Sequence, residues 1–233
     1  MSIAVALVGL SPSDASAWTS KTHLLIAETA ASVSPPDLRR QIDRHLASYR
    51  EGCRLPMGAA HGRLDQHIEE ETARTIAAIR NHRPFRDVVR QMGVVSYYVA
   101  TANNPLNTDN GDPMESSYST DFARYVESAQ GRFRLAFYGE GREIADSGVA
   151  PLLQRTLRRG RDFYRSIGRE YRRVGGPPGR TKFDDKSVAF AVGSLAVSHA
   201  VSDVGAVLRH IWIEAGGADK RPLPVTPGGA PSR

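Results

Sequence analysis

An indole, an imidazole and a processing site stand close together near the start of this chain. Ala15-Ser16-Ala17 has the small residues that signal peptidase accepts and follows the apolar stretch Ile3–Leu10, so cleavage there leaves Trp18 as the mature N-terminus. A free α-amino group beside a backbone carbonyl can chelate a metal ion. His23, a turn further on, can add an imidazole to the same ion. Met1-Ser2 brings no Lys or Arg, which leaves open a start further upstream or an N-terminal strand that stays on the protein. A second pair with chemical potential is His199 and Asp203, at i,i+4 near the apolar side of the last helical segment, with His210 two turns beyond. The favoured reading is a buried histidine held by an aspartate hydrogen bond. The alternative, a relocated metal site, falls short of the three protein ligands that a catalytic zinc keeps. Asp109-Asn110-Gly111-Asp112 offers oxygens to a hard cation but lacks the rest of an EF-hand loop.

Trp-x4-His at a processed N-terminus resembles the zinc-dependent phospholipase C / S1-P1 nuclease family, and a second stretch resembles it too. Gly93 through Asn107 follows the family's hallmark helix and turn, G-x-x-x-H-Y-x-x-D-x-x-Q-P-x-H, in its Gly, its second aromatic (Tyr98), its Pro105 and its spacing. Tyr97 stands where the family has a zinc-binding His, Thr101 where it has the bridging Asp, and Asn107 where it has the second His. On the next helix Ser119 and Ala123 occupy the positions of the His-x-x-x-Glu/Asp pair. The segment Ala200–Gly216 is similar to the closing helix of bacterial members. The family also takes an Asp and a His from the region upstream of its hallmark helix; Asp65 with His67 is the chosen match, with His61 and His82 as alternatives.

The resemblance implies an all-α, single-domain multi-helix bundle of the phospholipase C / P1 nuclease type over residues 18–216. It implies a zinc-dependent phosphodiester hydrolase as the ancestral activity, with phospholipid headgroups or other phosphodiesters as partners. Its metal residues here would be Trp18, His23, Asp65 and His67, holding fewer than three zinc ions, down to none, and no catalytic residue is assigned. The alternative is a non-catalytic binding or structural protein on the same scaffold.

Composition sets wider bounds. The chain has 233 residues and a net charge of +6; removing residues 1–17 deletes Asp14 and no basic residue, giving +7. Its length suits one domain with a real core. A basic exported protein, secreted or periplasmic, suits polyanionic ligands, although no nucleic-acid-binding motif is present. Cys53 is the only cysteine, so stability must come from packing rather than from an intramolecular disulfide. No apolar run past residue 17 approaches the ~20 residues that cross a bilayer.

The elements that must position these residues are helices, because 3.6-residue periodicity recurs in nearly every segment and no stretch alternates as a strand does. Helices are expected at 22–33, 37–51, 65–81, 84–102, 119–138, 148–174 and, capped by Asp184, up to about 215. In the sixth, Leu153, Leu157, Gly160, Tyr164, Ile167, Tyr171 and Val174 trace one apolar stripe. Arg155, Arg158, Arg159, Arg161, Arg165, Arg169, Arg172 and Arg173 lie off it and read as a solvated face, the alternative being a surface for phosphates or anionic lipid. Residues 217–233, rich in Pro and Gly, read as a disordered tail.

Overall fold

A computed structural model describes residues 18–54, 64–107, 111–139, 144 and 148–218. The cleavage segment, His61, Asp109, Asn110 and nearly all of the expected tail lie outside these residues. All regular structure among the described residues is helical, which establishes the all-α class. The α-helices are α1 (Ser20–Ser32), α2 (Pro36–Arg44), α3 (Leu46–Gly52), α4 (Leu64–Arg80), α5 (Phe85–Ala102), α6 (Glu115–Ala129), α7 (Ala150–Val174) and α8 (Val188–Glu214), with short 3-10 turns at Pro105–Asn107, Gln130–Arg132 and Gly179–Thr181.

The central element is α8, which packs against α1, α4, α5, α6 and α7. Its Ala, Val, Gly and Ser composition keeps the side chains short, so several helices can approach it closely. An 18-residue window of α8 has mean hydropathy 1.4, which makes it long and apolar enough to cross a bilayer, a feature absent from the sequence expectation. The protein's own helices bury 78% of that window, as they would for a core helix. Ser187 rather than Asp184 caps α8, its hydroxyl accepting from the Phe190 N–H at 3.2 Å.

Helix α5 is held against α3 by two glycines. A Cβ at Gly93 would lie 2.2 Å from the Tyr49 carbonyl oxygen and one at Gly52 would lie 2.0 Å from the Arg90 carbonyl oxygen, so the two backbones touch where no side chain fits. Beside the crossing, the Tyr49 hydroxyl donates to the Ala27 carbonyl at 3.2 Å and shares a 2.8 Å hydrogen bond with Ser96 Oγ. This ties α1, α3 and α5 together. Cys53, buried next to it, has its thiol pushed up to about 12 by burial.

Two expected helices differ. The 37–51 helix breaks at His45 (φ −122°, ψ 32°). The bend lets α2 bury Leu38 and Ile42 while α3 turns Tyr49 and Gly52 onto α5. The 119–138 helix starts early, at Glu115, and stops at Ala129; residues 133–139 run without helical structure alongside α8. That strap gives up internal hydrogen bonds and finds replacements in a serine ladder, with Ala136 N–H donating to Ser198 Oγ at 3.1 Å and Tyr138 N–H to Ser202 Oγ at 2.9 Å. The long α7 forms as its stripe requires. It buries Leu153, Gly160, Tyr164, Ile167 and Tyr171 and ends in a left-handed Gly175, with Gly176 N–H bonding the Tyr171 carbonyl at 2.8 Å.

Candidate functional site

The end of the molecule where α1 meets the C-terminal turns of α5 gathers most of the residues singled out by spacing. Trp18 is fully buried, and its indole N–H donates at 2.8 Å to the Ala100 carbonyl, which also accepts from the Asn103 N–H at 3.1 Å where α5 ends. Its ring meets Phe122 of α6 at 6.2 Å. His23, from the first turns of α1, is 1% exposed, and neither of its ring nitrogens has a hydrogen-bond partner among the described residues. Tyr97 lies stacked on it, with centroids 4.5 Å apart and planes 27° from parallel. The expected meeting of Tyr97 with His23 is therefore present.

Electrostatics at this end follow from burial. Desolvation pulls the His23 imidazole down to about 3, so it is neutral at any ordinary pH. The same effect pushes the Tyr97 phenol up to about 12. Thr101, one turn beyond Tyr97, donates its hydroxyl to the Tyr97 carbonyl at 2.9 Å. The amide of Asn107 and the hydroxyl of Ser119 are buried without partners among the described residues, and Ala123 is buried. Of the mapped positions only Tyr97 is seen against the neutral imidazole, and the five together offer an aromatic ring, two hydroxyls, an amide and a methyl group.

Asp65 and His67, at the start of α4, sit apart from this arrangement. Asp65 is exposed and accepts from the Gln66 N–H at 2.9 Å. His67 stacks on Tyr98 at 5.6 Å, and Tyr98 in turn meets Tyr97 edge-on at 5.4 Å. His67 thus connects to His23 through a ladder of two tyrosine rings, with no direct contact described between the two imidazoles. His82 is exposed, in a turn with φ 53°. Among the described residues no group of three or more His, Cys, Asp or Glu side chains lies together.

A second constellation, between α7 and α8, has different chemistry. Asp203 does not hold His199, as the i,i+4 spacing had suggested. Its Oδ2 accepts from Arg159 Nη2 at 2.5 Å and from Thr156 Oγ1 at 2.8 Å, and the two charged side chains are 6% and 17% exposed respectively. A permanent cation on the facing helix outcompetes a neutral imidazole for a buried carboxylate. Arg159 therefore leaves the solvated arginine face to which its position had assigned it. Its Nη2 also donates to Asn103 Oδ1 at 2.7 Å, which joins this site to the C-terminal end of α5.

His199 instead stacks against Tyr138 of the strap at 4.3 Å, with Phe163 at 6.1 Å. Burial, with the neighbouring Arg159 and Arg155 charges, holds its pKa down to about 4 against the opposing pull of Asp203. Tyr138, Arg155, Arg159, His199, Ser202 and Asp203 line a cavity of about 260 Å³. His210, further along α8, is also depressed by burial, partly offset by Glu214. The inward turn of Arg159 had one local signal in the sequence. It lies three residues after Thr156 and next to Gly160, both buried, whereas Arg158 and Arg161 point out. No protein-family model matches this chain, and no curated protein matches it.

Proposed function

We propose that this protein is an exported helical protein of the zinc-dependent phospholipase C / S1-P1 nuclease type whose phosphodiester hydrolysis is weak or absent and whose scaffold now serves binding. The observation that carries the reading is the buried stack of Tyr97 on His23, because a neutral imidazole capped by an aromatic ring leaves no room there for a hydrated metal cluster.

Metal-assisted phosphodiester hydrolysis needs ions that ionise a water and hold the phosphate. Three zinc ions require a shell of imidazoles and carboxylates. Tyr97, Thr101, Asn107, Ser119 and Ala123 supply none, and Thr101 already spends its hydroxyl proton on a backbone carbonyl. The residues at hand do not fit a three-zinc cluster, so no hydrolytic step is derived through one. The His23 nitrogens, without a hydrogen-bond partner among the described residues, support a reading in which at most a single ion is held there, with the Trp18 α-amino group as the proposed second ligand.

The test is metal content and hydrolysis on the purified exported protein. Fewer than three zinc ions per chain is expected, with little or no chelator-sensitive cleavage of phosphatidylcholine or single-stranded nucleic acid. Close to three zinc per chain, or robust chelator-sensitive cleavage by the unmutated protein, overturns the proposal.

A further inference from the structure

Helix α7 turns a row of arginines to solvent. Arg158, Arg161, Arg165, Arg169 and Arg172 follow at i, i+3, i+7, i+11 and i+14, all exposed, so they run along the side of the helix away from its buried stripe. At 1.5 Å per residue the row is about 21 Å long. Two carboxylates reach it. Asp162 lies 3.5 Å from Arg165, and Asp112 lies 3.4 Å from Arg172. Glu170, the other acidic residue of α7, is buried and takes Arg173. Arg158, Arg161 and Arg169 have no carboxylate at ion-pair distance among the described residues.

Solvation alone does not favour such a row. Like charges at i,i+3 and i,i+4 destabilise a helix, and the row contains four such neighbouring pairs. Exposed arginines on other helices of this protein are answered by carboxylates, as Arg40 of α2 is by Asp37, Arg74 of α4 by Glu71 and Arg90 of α5 by Glu51. The α7 row departs from that pattern, and lying off the packed face it serves no core contact. Its guanidinium forks match phosphate oxygens.

The surroundings of the row select among phosphate-bearing partners. Helices that rest on a bilayer add apolar side chains to their charge, and none of the exposed large apolar residues lies on α7. Proteins that hold single strands stack bases on aromatic rings. The three rings of α7, Phe163, Tyr164 and Tyr171, pack against the core instead. A duplex keeps its bases stacked among themselves and presents an outer phosphate array, one charge per ~1.7 Å of axis, or about 12 along the row.

We propose that the row from Arg158 to Arg172 is a docking surface for the phosphate backbone of duplex nucleic acid, without sequence preference. Backbone contacts position a protein and carry no sequence information, so no recognition motif is required. The proposal names a partner for the binding role inferred above and uses none of the residues at the end where α1 meets α5.

The experiment titrates the full chain, with chelator present, into a short labelled duplex and follows fluorescence anisotropy against salt. With five phosphate contacts the slope of log affinity on log salt should be about −4.5, a fall of about 500-fold between about 50 and 200 mM. Arg158→Gln with Arg161→Gln should take about 1.8 off that slope, leaving a fall of about 40-fold over the same range. Arg158→Lys with Arg161→Lys should keep the slope, because the charge remains. Arg74→Gln with Arg90→Gln removes the same charge from arginines that carboxylates already answer, and should leave affinity and slope unchanged. Absence of salt-dependent binding, equal loss in the Arg74/Arg90 variant, tighter binding of a single strand of the same sequence, or capture by phosphatidylglycerol vesicles without binding to the duplex would overturn the proposal. Because chelator excludes metal throughout, failure here leaves the reading of the metal end standing, and three zinc ions per chain would leave this one standing.

Discussion

Removing the carboxylate of Asp203 tests the arrangement between α7 and α8 most directly. Its oxygen satisfies two buried donors, Arg159 Nη2 at 2.5 Å and Thr156 Oγ1 at 2.8 Å, and the pair is largely closed to water. Asp203→Ala would leave the Arg159 guanidinium buried without its counter-charge and the Thr156 hydroxyl without its acceptor. Breaking one side of such a pair costs about 3–5 kcal/mol, mostly from the stranded charge rather than from lost attraction. For a chain of this size, with a melting shift of about 2–4 °C per kcal/mol, the melting temperature should fall by about 10 °C. Urea denaturation supplies the free energy, and a second variant isolates its origin. Arg159→Met combined with Asp203→Leu removes both charges and should recover most of the loss, because apolar side chains of similar size can fill the space. A loss below about 1 kcal/mol for Asp203→Ala would refute the buried pair, since that is what an exposed ion pair contributes. A double variant as unstable as the single would show that packing, and not charge, is responsible.

Other expectations follow from the same geometry. His23→Phe keeps a ring against Tyr97 but cannot titrate. Wild-type His23, held near 3 in the folded state against about 6.5 when unfolded, contributes stability that is present above pH 6.5 and is lost as the pH falls toward 3, so the variant should show a flatter acid limb in stability measured from pH 6.5 to 4. The slope removed is at most about 1.4 kcal/mol per pH unit; His199 keeps a smaller slope of the same sign, and an unchanged limb would contradict the burial of His23. Gly93→Ala should cost about 3 kcal/mol in urea denaturation, because its methyl group would meet the Tyr49 carbonyl at 2.2 Å, and wild-type stability would disprove the close crossing. Tyr97→His with Thr101→Asp, one turn apart on α5 with position 97 against the His23 ring, should produce zinc uptake measurable by equilibrium dialysis. Uptake no greater than that of the wild type would show that these positions do not converge.

Much of the local structure was legible in the chain itself, because helix phase and caps are short-range. The spacing from Leu153 to Val174 specified the buried side of α7, and Gly175 marked its end because a glycine accepts the left-handed geometry that closes a helix. The aromatic at position 97 was expected to face His23, and it does. Partner choice was out of reach. Arg159 sits among seven arginines of similar spacing, and its inward turn depends on a carboxylate 44 residues away on another helix. Asp203 looked like the partner of His199 because they are four residues apart, yet a cation across the helix interface won it. Residues 133–138 read as helix, and only the serines of α8, more than sixty residues on, offered their N–H groups a better set of acceptors. Periodicity reports which face of a segment is buried; the identity of the group it meets there is set by how the helices cross, and that is decided by the packing of the whole chain.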